Sequence, residues 1–152
     1  MLKALDRSVG RILDTLEKNN LTDNTLIVLT SDNGGANYIH LSDINKPYRG
    51  WKLTHFEGGL HVPFMAKWPN KIEPGIEFNA PIHANDILPT FAAAAGAELP
   101  DDRIIDGVNL LPFLQNHNSD MPHETLYWLQ GRLQTILHEN WKLITDHRTG
   151  QD

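Results

Sequence analysis

The side chains best suited to chemistry are Asp32 and Asn33, which directly follow the β-forming run 25–30. Four consecutive aliphatic residues in that run are typical of a strand buried on both faces. Ligands of open α/β sheets bind outside the carboxyl ends of the strands, where these two side chains would point. Their oxygens suit a hard cation such as Ca²⁺. Taken alone, however, Asp-Asn-Gly-Gly is also an ordinary turn, and a turn without metal is the simpler interpretation.

A second group of chemically suited residues lies within 50–63. Lys52 carries a compact charge on a flexible stem, which suits a sulfate or phosphate oxygen. His55 lies close to Lys52 in sequence and could line the same pocket, although packing is the more common role for such a histidine. For Glu57-Gly-Gly we favour a tight structural turn over a catalytic glutamate, because its glycines permit close backbone approach and disfavour a helix.

The charge of the chain is unevenly distributed. The formal net charge is -6, yet residues 44–72 contain five basic residues and one acid. A basic patch beside a predicted cation site indicates an anionic ligand. For Lys67 and Lys71 we favour solvated loop positions. The overall acidity argues against general nucleic-acid binding.

Composition limits the remaining function classes. With 152 residues, 40% of them hydrophobic, the chain can form one globular domain. No apolar stretch is long enough to span a membrane, and no secretory leader is recognisable. The absence of cysteine excludes disulfides, a thiolate metal site and a cysteine nucleophile within these residues.

Local patterns predict the elements that must position these side chains. Helical spacing of apolar residues predicts an amphipathic helix up to about residue 17, with no capping residue before it. Further elements are predicted as a strand in 61–68, a helix in 85–96, a short apolar piece in 110–114, and antiparallel strands in 125–129 and 133–145. Two central strands do not make a covered sheet, so we expect the C-terminal part of a larger protein.

Taken in chain order, the motifs resemble those of the sulfatase family, within the alkaline-phosphatase-like superfamily. The resemblance runs nearly from end to end, and the ordered set makes it specific. The motifs that carry it are Leu5-Asp6-x-x-Val9-Gly10-x-Ile12-Leu13, Asp23-Asn24-Thr25-Leu26, Thr30-Ser-Asp-Asn-Gly34, Lys52-x-Thr54-x-x-Glu57-Gly-Gly-x-x-Val62-Pro63, Trp68-Pro69-x-Lys71-Ile72, Asp86-Ile-Leu-Pro-Thr90 and Asp106-Gly107-x-x-Leu110-Leu-Pro112.

The resemblance implies an α/β fold: the C-terminal portion of an alkaline-phosphatase-like sheet-and-helix core with a small antiparallel C-terminal sheet. Residues 1–115 would belong to the core, and residues 116–152 would begin the small antiparallel subdomain. Sulfatases usually work in the periplasm, outside the cell or in lysosomes, but this sequence carries no sorting signal of its own.

The resemblance also implies a reaction, the hydrolysis of sulfate esters. Asp32 and Asn33 would bind Ca²⁺, Lys52 would hold the sulfate, and His55 would line the substrate pocket. The cation would neutralise the sulfate and polarise it for attack. The partner would be a sulfated small molecule or a sulfated glycan, with no role for nucleic acid or membrane.

The chain departs from the family pattern in two ways. His61 stands where many members have arginine, which we expect to affect loop packing more than chemistry. The Cys/Ser-x-Pro-Ser/Thr-x-Arg motif, whose first residue becomes the formylglycine nucleophile, does not occur in the sequence. The resemblance assigns that motif, two further aspartate ligands and a sulfate-binding Lys and His to a missing N-terminal half of the same protein. This chain alone would then be inactive.

Two alternatives remain at this point. A phosphatase, phosphodiesterase or phosphonate hydrolase of the same superfamily would share the cation at the strand end. A non-catalytic, truncated fragment could retain only an anion-binding surface. The order of Lys52, Thr54 and Glu57-Gly-Gly favours the sulfatase.

Overall fold

The structure is a computed structural model that describes residues 1–116 and 120–146. Its helices are α1 (Leu2–Lys18), α2 (Glu57–Leu60), α3 (Ile87–Ala95) and α4 (Leu111–Leu114). Its strands are β1 (Ile27–Thr30), β2 (Phe64–Lys67), β3 (Thr125–Gln130), β4 (Leu133–His138) and β5 (Trp141–Asp146). The β1 and β2 strands form one sheet, and β3, β4 and β5 form another in that order. The predicted combination of helices with a small C-terminal sheet is confirmed.

The chain divides into two compact units. The first contains residues 1–28, 66–80 and 84–120, and the second contains residues 29–65, 81–83 and the chain from Met121 onward. These units are defined by contacts within the chain, whereas the predicted domains, 1–115 and 116–152, follow from the family resemblance. The predicted domains therefore stay a prediction. Residues 117–119 and 147–152 of the second domain lie outside the described residues.

Helix α1 forms where apolar periodicity predicts it, but its apolar side is open. Met1 occupies the N-cap position without a side-chain hydrogen bond, as its residue type requires. Leu2, Leu5 and Ile12 are 82%, 57% and 59% exposed. No helix in 1–116 or 120–146 combines the length and apolar character needed to cross a membrane.

Strand β1 differs from its prediction in burial. Ile27 and Val28 are half-buried, whereas Leu29 and Thr30 are exposed. The prediction that this strand is buried on both faces is therefore wrong for this chain. The physical reason is that β1 belongs to a sheet of two strands. Such a sheet presents too little surface for helices to cover both of its faces.

Helix α2 is a single turn in a segment where the glycines argued against any helix. Both Gly58 and Gly59 are buried there. A Cβ on Gly58 would overlap the carbonyl oxygen of Gly50, and one on Gly59 would overlap that of Thr54. Close backbone approach therefore requires these glycines, although each costs about 1 kcal/mol in helix propensity.

Helix α3 is tied to the chain ahead of α4 by two buried side chains. Asp86 is fully buried, and its Oδ1 accepts a hydrogen bond of 2.9 Å from the backbone N–H of Val108. The hydroxyl of Thr90 accepts another of 2.9 Å from the N–H of Leu110, which is 1% exposed. Gly96 ends α3 in the left-handed conformation, which favours glycine.

The C-terminal sheet is antiparallel, with Leu126 opposite Leu137 and Thr135 opposite Ile144. Alternation gives it two different faces. Leu126 and Thr135 are buried on one face. The other face leaves four large apolar side chains exposed, namely Tyr127, Leu129, Trp141 and Leu143.

A pair of threonine-to-valine substitutions tests the α3 contact. Thr90→Val would keep the side-chain shape but leave the buried N–H of Leu110 without its acceptor. We expect the free energy of unfolding to fall by about 1–3 kcal/mol, measured by urea denaturation of the 152-residue chain.

Thr22→Val is the matched control. The Thr22 hydroxyl is buried and has no hydrogen-bond partner within the described part of the chain. Its removal should leave stability unchanged or increase it, because no bond is lost. Equal destabilisation by both substitutions would contradict the assigned role of Thr90.

Candidate functional site

Asp32 and Asn33 lie directly beyond the end of β1, as predicted. The amide nitrogen of Asn33 donates to the carbonyl of Gly34 at 3.0 Å, and the hydroxyl of Ser31 donates to the carbonyl of Asn33 at 2.9 Å. Among the described residues, neither the exposed Asp32 carboxylate nor the Asn33 amide oxygen has a hydrogen-bond or ion-pair partner. Both are therefore available to a cation.

These two oxygens alone would not make a cation site. Ca²⁺ takes six to eight oxygen ligands, typically with several carboxylates. Within residues 1–116 and 120–146, no group of three His, Cys, Asp or Glu side chains is arranged to hold a metal. Asp32 and Asn33 fit calcium by chemical type, and further ligands would have to come from elsewhere.

The loop that follows these residues is joined to the Lys52 loop through backbone atoms. The N–H of Gly34 donates to the carbonyl of Gly59 at 3.0 Å, and the N–H of Lys52 donates to that of Gly35 at 3.1 Å. A Cβ on Gly34 would overlap the carbonyl oxygen of Gly58. The fold thus brings together the two loops that carry the predicted metal and anion ligands.

Lys52 lies in a tight turn. The N–H and the hydroxyl of Thr54 both donate to the carbonyl of Trp51, at 2.9 and 2.7 Å, and Leu53 has a φ of +74°. Lys52 is half-buried, and its ammonium group has no hydrogen-bond or ion-pair partner in the described residues. Its charge is available to an anion.

His55 has a different environment from Lys52. It is 4% exposed, and its Nδ1 shares a hydrogen bond of 2.8 Å with the hydroxyl of Thr135 on β4. This contact attaches the Lys52 loop to the C-terminal sheet. The predicted contact of His55 with substrate stays a prediction.

Glu57 makes a second connection to the same sheet. Its carboxylate pairs with the Nζ of Lys142 on β5 and lies 3.1 Å from the Nδ1 of His61. The His61 ring stacks on Tyr48 with ring centroids 4.6 Å apart. No sequence signal indicates Lys142, because it lies 85 residues from Glu57 and belongs to no motif.

A cavity of about 640 Å³ adjoins this ion pair. Its lining includes Phe56, Glu57 and Lys142. The guanidinium of Arg49 lies 4.2 Å from the centroid of the Phe56 ring, a cation–π distance. Phe56, an aromatic residue of the 34–59 loop, therefore packs against a charged group of the same loop.

The buried bond between His55 and Thr135 can be tested by Thr135→Val. The substitution would leave the Nδ1 of a buried imidazole without a partner, which costs about 1–3 kcal/mol of folding free energy. Chemical denaturation of the chain measures this loss.

Thr125→Val is the control, because the hydroxyl of Thr125 also bonds a histidine Nδ1 at 2.8 Å, but at an exposed position. Water can replace that bond, so we expect a change within about 0.5 kcal/mol. A loss at Thr125 as large as that at Thr135 would show that burial does not decide the effect.

Two family models match the chain. One, described as Sulfatase, matches residues 1–97, and the other, described as N-sulphoglucosamine sulphohydrolase, C-terminal, matches residues 50–146. A curated relative, the steryl-sulfatase of Rattus norvegicus, is 43% identical over 132 residues, which cover 83% of this chain and 23% of the rat protein. The chain thus spans about a quarter of the length of that relative.

Solved structures agree with these matches. The chain is similar to Ps i-CgsB in complex with k-i-k-neocarrahexaose, with a TM-score of 0.84 and 35% identity over 98% of this chain and 34% of the other. It is also similar to BT4656 in complex with its substrate D-Glucosamine-2-N, 6-O-disulfate, with a TM-score of 0.76 and 28% identity over 97% and 30% of the two chains. Because one family model covers more than half of its residues, this chain belongs to the sulfatase family.

Proposed function

We propose that this chain supplies the C-terminal part of a sulfatase that hydrolyses sulfate esters. The observation that carries the proposal is the backbone junction between the loop of Asp32 and the loop of Lys52, where Lys52 donates to Gly35 at 3.1 Å. A site for a sulfate ester requires cation ligands and an anion-binding ammonium close together. This junction brings their two loops into contact.

Asp32 and Asn33 are proposed as two ligands of a bound Ca²⁺. Their free oxygens at the end of β1 support this role, since hard cations prefer carboxylate and carbonyl oxygens. When bound, the cation would act as a Lewis acid that neutralises the sulfate and orients it for attack. The chain's own contribution is to hold the two oxygens at a fixed strand end.

Lys52 is proposed to bind the sulfate, and His55 to border the substrate pocket. The tight turn of Lys52 and its ammonium group, which has no partner among residues 1–116 and 120–146, support its role. A preorganised cation stabilises developing negative charge at little reorganisation cost. The His55 ring is buried against Thr135 and so fixes the segment that follows Lys52. We propose that this segment borders the substrate pocket.

The nucleophile is proposed to lie in sequence upstream of Met1, in an N-terminal half of the same protein. The match to 23% of the rat relative supports this arrangement. The open apolar side of α1, with Leu2 82% exposed, supports it as well, since an amphipathic helix normally buries that side. On this proposal the isolated chain is inactive.

The substrate is proposed to be a sulfated small molecule or a sulfated glycan. One similar protein is a steryl-sulfatase, and another was solved with the substrate D-Glucosamine-2-N, 6-O-disulfate. The two names refer to sulfated compounds of different size. We therefore propose the class of sulfated compounds as substrates and not one member of that class. The working compartment is proposed to be periplasmic, extracellular or lysosomal, by analogy with the family.

The DNA upstream of Met1 provides a direct test. We expect an in-frame Cys/Ser-x-Pro-Ser/Thr-x-Arg motif a few hundred codons earlier, because the reaction needs the formylglycine nucleophile. A genuine start codon at Met1 with no such motif upstream would instead support a non-catalytic, anion-binding protein.

Substitutions in the full-length enzyme test the site residues. With an aryl sulfate as substrate, Lys52→Ala should lower kcat/KM by about 10²–10³-fold, because a charge-stabilising group is lost. Asp32→Ala should lower both kcat/KM and calcium affinity, measured by calcium titration.

The matched control is Lys71→Ala, which removes an exposed lysine that we assign to a solvated loop. Its activity should equal that of the wild type. The proposal would be wrong if Asp32→Ala kept wild-type activity and calcium affinity, or if Lys71→Ala impaired catalysis as much as Lys52→Ala.

A further inference from the structure

We propose that Asn45 is a positioning residue that holds the loop of Asp32 and Asn33 in register with the loop of Lys52. The inference rests on the proposed function, because it assigns a purpose to the relative position of those loops. Asn45 is half-buried and lies in the irregular segment between them. It contributes no ligand of its own and would act only through its neighbours.

The side-chain amide of Asn45 joins the two loops through three hydrogen bonds. Its Oδ1 accepts from the N–H of Gly35 at 2.7 Å. Its Nδ2 donates to the carbonyl of Gly35 at 2.9 Å and to the carbonyl of Gly50 at 3.0 Å. Gly35 is two residues after Asn33, and Gly50 is two residues before Lys52. One side chain thus fixes both loops close to their proposed ligands.

The carbonyl of Gly35 is the point where these bonds meet. It accepts from the Nδ2 of Asn45 and also from the backbone N–H of Lys52 at 3.1 Å. A carbonyl oxygen has two lone pairs, so its capacity is filled. The position of Lys52 and the position of the Asp32 loop therefore depend on the same oxygen atom.

Steric packing restricts the junction as tightly as the hydrogen bonds do. A Cβ on Gly35 would come within 2.6 Å of the Cδ1 of Ile44, the residue before Asn45. Gly50 has a φ of +89°, a conformation that favours glycine. A side chain at Gly35 would therefore crowd Ile44, and one at Gly50 would crowd Thr54 and Phe56.

The amide of Asn45 matches the donor and acceptor pattern of this junction. Its amide offers one acceptor oxygen and two donor hydrogens, which match one N–H and two carbonyls. Aspartate has almost the same shape but cannot donate, so Asn45→Asp would set a carboxylate against two carbonyl oxygens. The substitution changes hydrogen bonding and charge with little change in volume.

The first test measures the geometry without any assay of activity. We expect Asn45→Asp to accelerate amide hydrogen exchange at Lys52 in the 152-residue chain, because loss of the Nδ2 bonds releases the Gly35 carbonyl that accepts from the N–H of Lys52. The N–H of Gly58, which donates to the carbonyl of Arg49 at 2.7 Å, should keep its protection. Unchanged exchange at Lys52 would overturn the proposal.

The second test measures the effect on the site in the full-length enzyme. We expect Asn45→Asp to lower kcat/KM and calcium affinity by about 10–100-fold, the range typical of residues that orient ligands. The assay is run well below the thermal midpoint of every variant, so that loss of folded protein does not contribute. Asn37→Ala removes an exposed asparagine near the same loop and should match the wild type.

The outcomes separate this proposal from the proposed function. Faster exchange at Lys52 with unchanged kcat/KM and calcium affinity would overturn the positioning role and leave a purely structural one. A wild-type enzyme that neither binds calcium nor hydrolyses sulfate esters would contradict the proposed function, and the positioning role would fail with it. Loss of catalysis with faster exchange, and with Asn37→Ala unaffected, would support both.

Discussion

The close approach of two backbone loops is the constraint on which the second unit depends. The N–H of Gly34 donates to the carbonyl of Gly59, and a Cβ on Gly34 would overlap the carbonyl of Gly58. Because the backbones touch, side chains at these positions would push the loops apart. Hydrogen bonds of Asn45 and Lys52 to Gly35 then fix the register of the two loops. The proposed ligands are adjacent to these fixed points.

The C-terminal sheet contacts the segment that follows Lys52 at two side chains. His55 reaches Thr135 on β4, and Glu57 reaches Lys142 on β5. The first contact is buried, so its loss would leave the Nδ1 of His55 with neither a protein partner nor water. The second is partly exposed, and ion pairs open to solvent contribute at most about 1 kcal/mol to stability. The small sheet therefore supports the loop that carries Lys52, the residue proposed to bind the anion.

Local sequence patterns predicted the elements well and their burial poorly. Helix α1 and helix α3 follow from apolar spacing and from Gly96, since these signals act within a few residues. The C-terminal strands follow from alternation. The expected burial of β1 was wrong, and the helical turn α2 was missed. Burial depends on which layers cover a sheet, and that information is not contained in the strand itself.

The sequence by itself determined the residue types of the candidate site. Asp32, Asn33 and Lys52 were identifiable because their chemistry and motif order are written in neighbouring residues. Only the tertiary structure decided what holds them. Asn45 contacts Gly35 across ten residues, and Lys142 contacts Glu57 across 85. Such contacts leave no periodic or local trace, because they depend on where the folded backbone brings distant groups together.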